Sequence, residues 1–101
     1  NIDIVNLLCA LVDEACAADA ALAARFPDAP PAGGRHCREL VTFVRDRAGH
    51  DRRYAIDATR INRELGYVPA ESFETGIRKT LGWFLANEPW WRAILDGSYR
   101  N

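Results

Sequence analysis

The opening stretch constrains the chain more than any other, because it is apolar on two sides at once. Ile4, Leu7, Leu8, Leu11 and Ala15 recur at the spacing of one helical face. Val5, Cys9, Val12 and Cys16 form a second stripe beside it. A helix apolar over this much of its circumference has to be covered from more than one direction. That is unusual for the first element of a 101-residue chain, which holds material for one modest core. Asp3 is placed to cap this helix. The Ala-rich run from Cys16 to Ala24 carries the helical pattern on to Phe26-Pro27.

Beyond it, Pro27, Pro30 and Pro31 with Gly33-Gly34 make an irregular connection, too short to separate two domains. Leu40-Val41-Thr42-Phe43-Val44, rich in β-branched and aromatic residues, predicts a short strand, and Tyr54-Ala55-Ile56 a second. The polar loop Arg45–Asp51 between them contains Gly49, which permits a tight turn. Asp57 is placed as the N-cap of a helix carrying Ile61 and Leu65, with Gly66 as its C′ residue and Pro69 preventing continuation. Ser72 caps a further helix whose apolar face is Phe73, Ile77, Leu81, Phe84 and Leu85. Glu88-Pro89 opens a last short helix with Trp90, Trp91, Ile94 and Leu95. The expected fold is a single α+β unit over residues 1–101, mostly helical, with two or more short strands.

Composition excludes several functions. Thirteen basic residues stand against fourteen acidic ones, divided evenly along the chain, so no basic surface for nucleic acid is expected. No run of 18 apolar residues exists to span a membrane, and the start Asn1-Ile2-Asp3 has no leader pattern. Three Cys without a C-x-x-C spacing point to reduced thiols and a cytoplasmic location. Cys9, Cys16 and Cys37 with His36 and His50 lack the close ligand pairs of zinc sites, so no metal is expected. Cys37 and His36, as sequence neighbours, do not aim at one another as a nucleophile and base must. No Gly-rich phosphate loop or nucleophile elbow is present, and Gly33-Gly34 lies in a Pro-rich loop. No catalytic residue is therefore assigned.

Arg47, His50, Arg52 and Arg53 are concentrated in the glycine-containing turn. Arg forks match phosphate oxygens, and a glycine lets backbone donors approach the same anion. A solvated loop neutralised by Asp46 and Asp51 accounts for the same residues, and spacing alone slightly favours it. Trp83 falls beside the apolar stripe of its helix and is expected to pack. Trp90 and Trp91 point in different directions, so at least one lies near the surface.

Residues 40–57, LVTFVRDRAGHDRRYAID, are followed by ATRINRELGYVPAESFETGIRKTLGWFLANEPWW and DGSYR. This order and spacing resembles the C-terminal end of the bacterial dTDP-glucose 4,6-dehydratases, of the extended short-chain dehydrogenase/reductase family. The likeness is carried by residues 1–14 and 38–101, with 15–37 peculiar to this chain. Ala48 stands where the family usually has Pro, and Tyr67 where it commonly has Trp.

The resemblance implies a nucleotide-sugar-binding lobe lacking the Rossmann domain. In the family that missing N-terminal part holds NAD and supplies a Tyr-x-x-x-Lys pair and an Asp-Glu acid/base pair. The family reaction oxidises C4 of the sugar, eliminates water across C5–C6 and returns hydride to C6. By the same resemblance Arg47 is a diphosphate ligand, and His50 sits near the nucleoside ribose. Asp57 stays a helix cap, and Arg52 and Arg53 surface charges. The implied partners are a dTDP-sugar, weakly held in isolation, the missing NAD domain, and further copies of the chain covering the doubly apolar helix. No cofactor is expected in this piece and no activity from it alone. A free-standing nucleotide-binding or protein-interaction module derived from that lobe is the alternative.

Overall fold

The computed structural model of the protein describes residues 1–100. Its elements are α1 (Ile2–Ala18), α2 (Ala20–Arg25), two 3₁₀ turns (Pro30–Gly33 and Cys37–Leu40), α3 (Thr59–Leu65), α4 (Phe73–Ala86), α5 (Glu88–Asp96) and a closing 3₁₀ turn (Ser98–Arg100). Among the described residues there is no strand, so the α+β expectation is overturned and the fold is all-helical. Leu40 closes a 3₁₀ turn, Val41 after it has extended dihedrals, and residues 42–44 and 54–56 have no regular secondary structure. Extended backbone becomes a strand only when a second backbone lies alongside to exchange N–H···O bonds. No non-helical backbone pair among the described residues involves positions 42–57. Phe43 is 85% and Ile56 96% exposed, so side-chain packing does not hold these segments either.

The N-terminal helix also differs from expectation. It starts two residues earlier, with Asn1 as its N-cap and no side-chain cap bond. Asp3 therefore lies inside the first turn, where its charge suits the positive end of the helix dipole without capping it. The helical pattern does not run unbroken to Phe26. Asp19 adopts extended dihedrals and its carboxylate accepts from the Ala21 N–H at 2.9 Å, ending α1 and capping α2. A short acidic side chain offers the backbone this local alternative, and the alanines around it have no means to oppose it.

The core is small. Leu11 (5% exposed), Cys16, Leu22 and Cys37 are its buried apolar residues, joined by Pro30. They come from α1, α2 and the two 3₁₀ turns, with α4 leaning on the other side of α1. Asp13 of α1 pins the Pro/Gly segment: its carboxylate accepts from the Cys37 N–H at 2.9 Å and bonds His36 Nδ1 at 3.0 Å. The Cys37 backbone bond, first among the causes, holds the Asp13 pKa below its ordinary value. At the other end, Arg25 of α2 reaches Glu88 of α5 at 2.6 Å and the Leu85 carbonyl at 3.0 Å. Glu88 is shared with Arg92, and the two guanidinium groups, Arg25 foremost, hold its carboxyl below the usual range.

The C-terminal helices follow the expected start and stop signals. Ser72 caps α4 in a reciprocal box with Thr75, Pro89 lies in the first turn of α5, and Gly66 ends α3 in the left-handed conformation at φ 63°. Asp57 accepts from the Thr59 N–H at 2.9 Å, closing the start of α3 from one residue before its formal cap, Ala58. Trp83 meets Trp90 edge-on at 5.1 Å, and both remain about half exposed, so Trp83 packs only in part. Trp91 turns inward, stacking on Phe26 and donating from Nε1 to the Phe84 carbonyl at 2.9 Å.

The radius of gyration is 17.7 Å, against about 13 Å for a compact chain of this length. The accessible surface is 8696 Å², where about 5,700 Å² is usual for a folded monomer of this mass. Roughly 3,000 Å² of additional surface faces solvent. Both apolar stripes of α1 contribute: Ile2, Ile4 and Val5 are exposed, while Leu8, Cys9 and Val12 line an apolar groove of about 590 Å³ closed on its far side by Leu40–Phe43.

Candidate functional site

Several polar side chains of the glycine-containing turn converge on open space. Asp46 organises it. One carboxylate oxygen accepts from the Arg47 N–H at 2.9 Å and meets His50 Nδ1 at 2.8 Å. The reversal between them needs Gly49, whose φ is +73°, a conformation L side chains rarely adopt. An ionised carboxylate only accepts, so His50 Nδ1 carries a hydrogen, and in the neutral ring Nε2 is left as an acceptor. That orientation suits a ligand hydroxyl.

After the turn the chain bends at Arg52, and His50, Asp51, Arg52, Arg53 and Tyr54 line a polar hollow of about 670 Å³ with Asp46 and Asn1. Tyr54 donates its hydroxyl to Asp51 at 2.7 Å. That bond, chiefly, raises the Tyr54 pKa, while the Arg47 guanidinium nearby opposes the shift. Arg47 therefore sits beside the Tyr54 hydroxyl, but it is not part of the hollow's lining. Arg52 and Arg53, expected as plain surface charges, are. Asp46, Asp51 and Tyr54 complete the cluster, and none of them was singled out as a binding residue from the sequence. The adjacency of Arg52, Arg53 and Tyr54 was visible there, but the direction each faces depends on the course of an irregular segment.

The remaining polar candidates lie elsewhere. His36 is engaged with Asp13 on the far segment. Cys16 and Cys37 are buried, and burial, chiefly, pushes the Cys37 thiol up to about 12, which leaves it a protonated, unreactive side chain. Among the described residues no group of three or more His, Cys, Asp or Glu side chains converges as a metal site. Nor do the residues present fit a dinucleotide: a Gly-rich turn between strand and helix has no counterpart, since Gly33-Gly34 closes a 3₁₀ turn. No helix among the described residues is long and apolar enough to cross a membrane.

No family model matches the chain, and no solved structure matches it. Curated proteins do. It is 47% identical over 100 residues to a dTDP-glucose 4,6-dehydratase of Neisseria meningitidis serogroup B, covering 99% of this chain and 25% of that protein. It is 48% identical over 99 residues to one from Escherichia coli (98% and 24%). A third, from Xanthomonas campestris pv. campestris, is 42% identical over 100 residues (99% and 25%). The matched stretch includes residues 15–37, which the sequence motifs had set aside as peculiar to this chain. The chain spans about a quarter of the length of the curated relatives it matches. Along practically its whole length, it is a homologue of one quarter of the dTDP-glucose 4,6-dehydratases.

Proposed function

We propose that this chain is the C-terminal, substrate-binding portion of a dTDP-glucose 4,6-dehydratase-like lyase. In that enzyme the sugar nucleotide is converted to its 4-keto-6-deoxy form, with NAD held by the part of the protein that precedes this one. The observation that carries the proposal is the end-to-end similarity to proteins of that name, including a turn whose His50, Arg52 and Arg53 open onto one polar hollow beside Arg47. Arg47 supplies a permanently charged planar fork for the diphosphate, and His50 Nε2, oriented by Asp46, meets a ribose hydroxyl. No proton or hydride passes through this portion. Its three free thiols suit a reducing cytoplasm.

The test is binding, with catalysis as a control. Titration of the chain with dTDP followed by NMR should shift the amides around residues 46–54, with an affinity on the order of millimolar, about −4 kcal/mol. Binding should weaken as salt rises, because exposed charge pairs are screened within about 10 Å at 0.1 M. Arg47→Lys should weaken it more than Arg60→Lys on the solvent face of α3, since Lys replaces a two-point fork with a point charge. The chain alone should neither bind NAD nor form the 4-keto product. Equal effects of the Arg47 and Arg60 variants, or shifts confined to other residues, would refute the assignment of this turn.

A further inference from the structure

We infer that Tyr54 is a positioning residue: its hydroxyl, held by Asp51, fixes the Arg47 guanidinium at the edge of the polar hollow. The inference rests on the nucleotide-sugar reading of this turn, and names what aims the fork that reading assigns to the diphosphate.

Three observations carry it. The first is that the turn places Arg47 without aiming it. Asp46 accepts from the Arg47 N–H at 2.9 Å and fixes the backbone there, but the guanidinium swings on a long stem. Among the described residues no carboxylate forms an ion pair with that guanidinium. A fork left loose would have to be ordered at each binding event. The second is the direction of the hydrogen bonds. Tyr54 donates to Asp51 at 2.7 Å, and an ionised carboxylate only accepts. The phenol proton is therefore committed to Asp51, and the lone pairs of the oxygen face the other way, where only a donor can meet them. Arg47 is that donor, and it opposes the effect of Asp51 on the same hydroxyl. A guanidinium has donors alone, so the bonds run one way, from Arg47 to Tyr54 to Asp51. The third is placement. Tyr54 lines the hollow and Arg47 does not, so the hydroxyl is what ties the fork to the cavity. Tyr54 is 72% exposed, so its ring is set by the Asp51 bond rather than by packing.

The arrangement also spares the charge. A carboxylate in direct contact with Arg47 would compete with a diphosphate for the same fork. A phenol holds the guanidinium with a neutral oxygen and leaves its other donors to the ligand. Ordering one such side chain in advance is worth about two- to tenfold in affinity.

The experiment has two arms, both read by NMR on the 101-residue chain. Without ligand, the Arg47 Nε–H should exchange with water several-fold faster in Tyr54→Phe and in Asp51→Asn than in the parent. The amide shifts of residues 46–50 and the helical circular dichroism should stay in place. With dTDP, Tyr54→Phe should weaken binding about two- to tenfold and leave its salt dependence unaltered, because no charge has been removed. In an Arg47→Lys background Tyr54→Phe should have little further effect, since residues that act as one unit are not additive. Unchanged Arg47 exchange in Tyr54→Phe overturns the inference. So does an additive effect of the two substitutions, or a collapse of the 46–50 amide pattern, which would make Tyr54 a brace of the turn. A parent whose 46–54 amides ignore dTDP refutes the nucleotide reading instead, and the exchange arm then decides the Tyr54 contact by itself.

Discussion

Residues 1–40 and residues 41–58 both carry large apolar side chains, yet only the first segment builds a core. Leu11, Cys16, Leu22 and Cys37 are buried within the first. Phe43, Val44, Tyr54 and Ile56 in the second are all exposed. The difference lies in where backbone hydrogen bonds can be made. Helices satisfy theirs internally, so α1 and α2 need only their faces covered. An extended segment depends on another backbone for every bond, and the described residues provide none to 42–57. Hydrophobicity says that a residue wants cover; the type of backbone decides whether the chain can provide it from its own length.

The sharpest way to break this contrast is to truncate one apolar residue in each region. Leu11→Ala should cost about 2–5 kcal/mol in urea denaturation, because so small a core has nothing to collapse into the cavity. Ile56→Ala should fall within about ±0.5 kcal/mol. Equal costs would mean that the second segment is packed after all.

Next in size is the Asp13 anchor. Asp13→Ala removes the acceptor for the Cys37 N–H and the His36 ring, and should cost about 1–3 kcal/mol by leaving a part-buried donor unpaired. Its pKa lies below the ordinary carboxylate value of 3.8. The unfolded state therefore takes up the proton first. The stabilisation is complete above that value and is lost as pH falls through the lower folded pKa. Acid titration of thermal stability should show this loss in the parent and a flatter profile in Asp13→Asn.

Glu88→Gln should act in the same sense and more weakly. Its carboxyl is also held below the ordinary value of 4.5 by Arg25 and Arg92. Its contribution is thus present above that value and disappears on acidification, and added salt should shrink it because the guanidinium partners are half exposed. The measurement is the melting temperature of both forms at two salt concentrations. Smallest should be Gly49→Ala. The left-handed φ makes the substitution locally unfavourable, but no atom would meet the new Cβ and no helix depends on the turn. Helix melting should stay unchanged while NMR shifts at 46–50 move.

The same contrast explains what could be foreseen. Start and stop signals around α3, α4 and α5 were legible because a cap acts within a few residues: Ser72 on Thr75, Gly66 on Asn62, Pro89 in its own turn. The break at Asp19 is equally local, but a single carboxylate inside an alanine run gives a faint signal. The strands at 40–44 and 54–56 could not be settled locally. Their residue types favour extended backbone, but strand pairing depends on a neighbour that composition does not specify. The turn itself was visible through Arg47, Gly49 and His50. That Arg52 and Arg53 share the hollow with His50, and that Asp46 orients the imidazole, depended on the course of the backbone after the reversal.

The clasp between α2 and α5 carries a kinetic consequence. Arg25 and Glu88 are 63 positions apart, so their contact closes a long loop and waits on the helices that bring the ends together. An interaction absent from the folding transition state leaves the rate of folding alone and governs the rate of coming apart. Arg25 and Glu88 thus behave as a latch: the chain should fold as quickly without it, and open sooner.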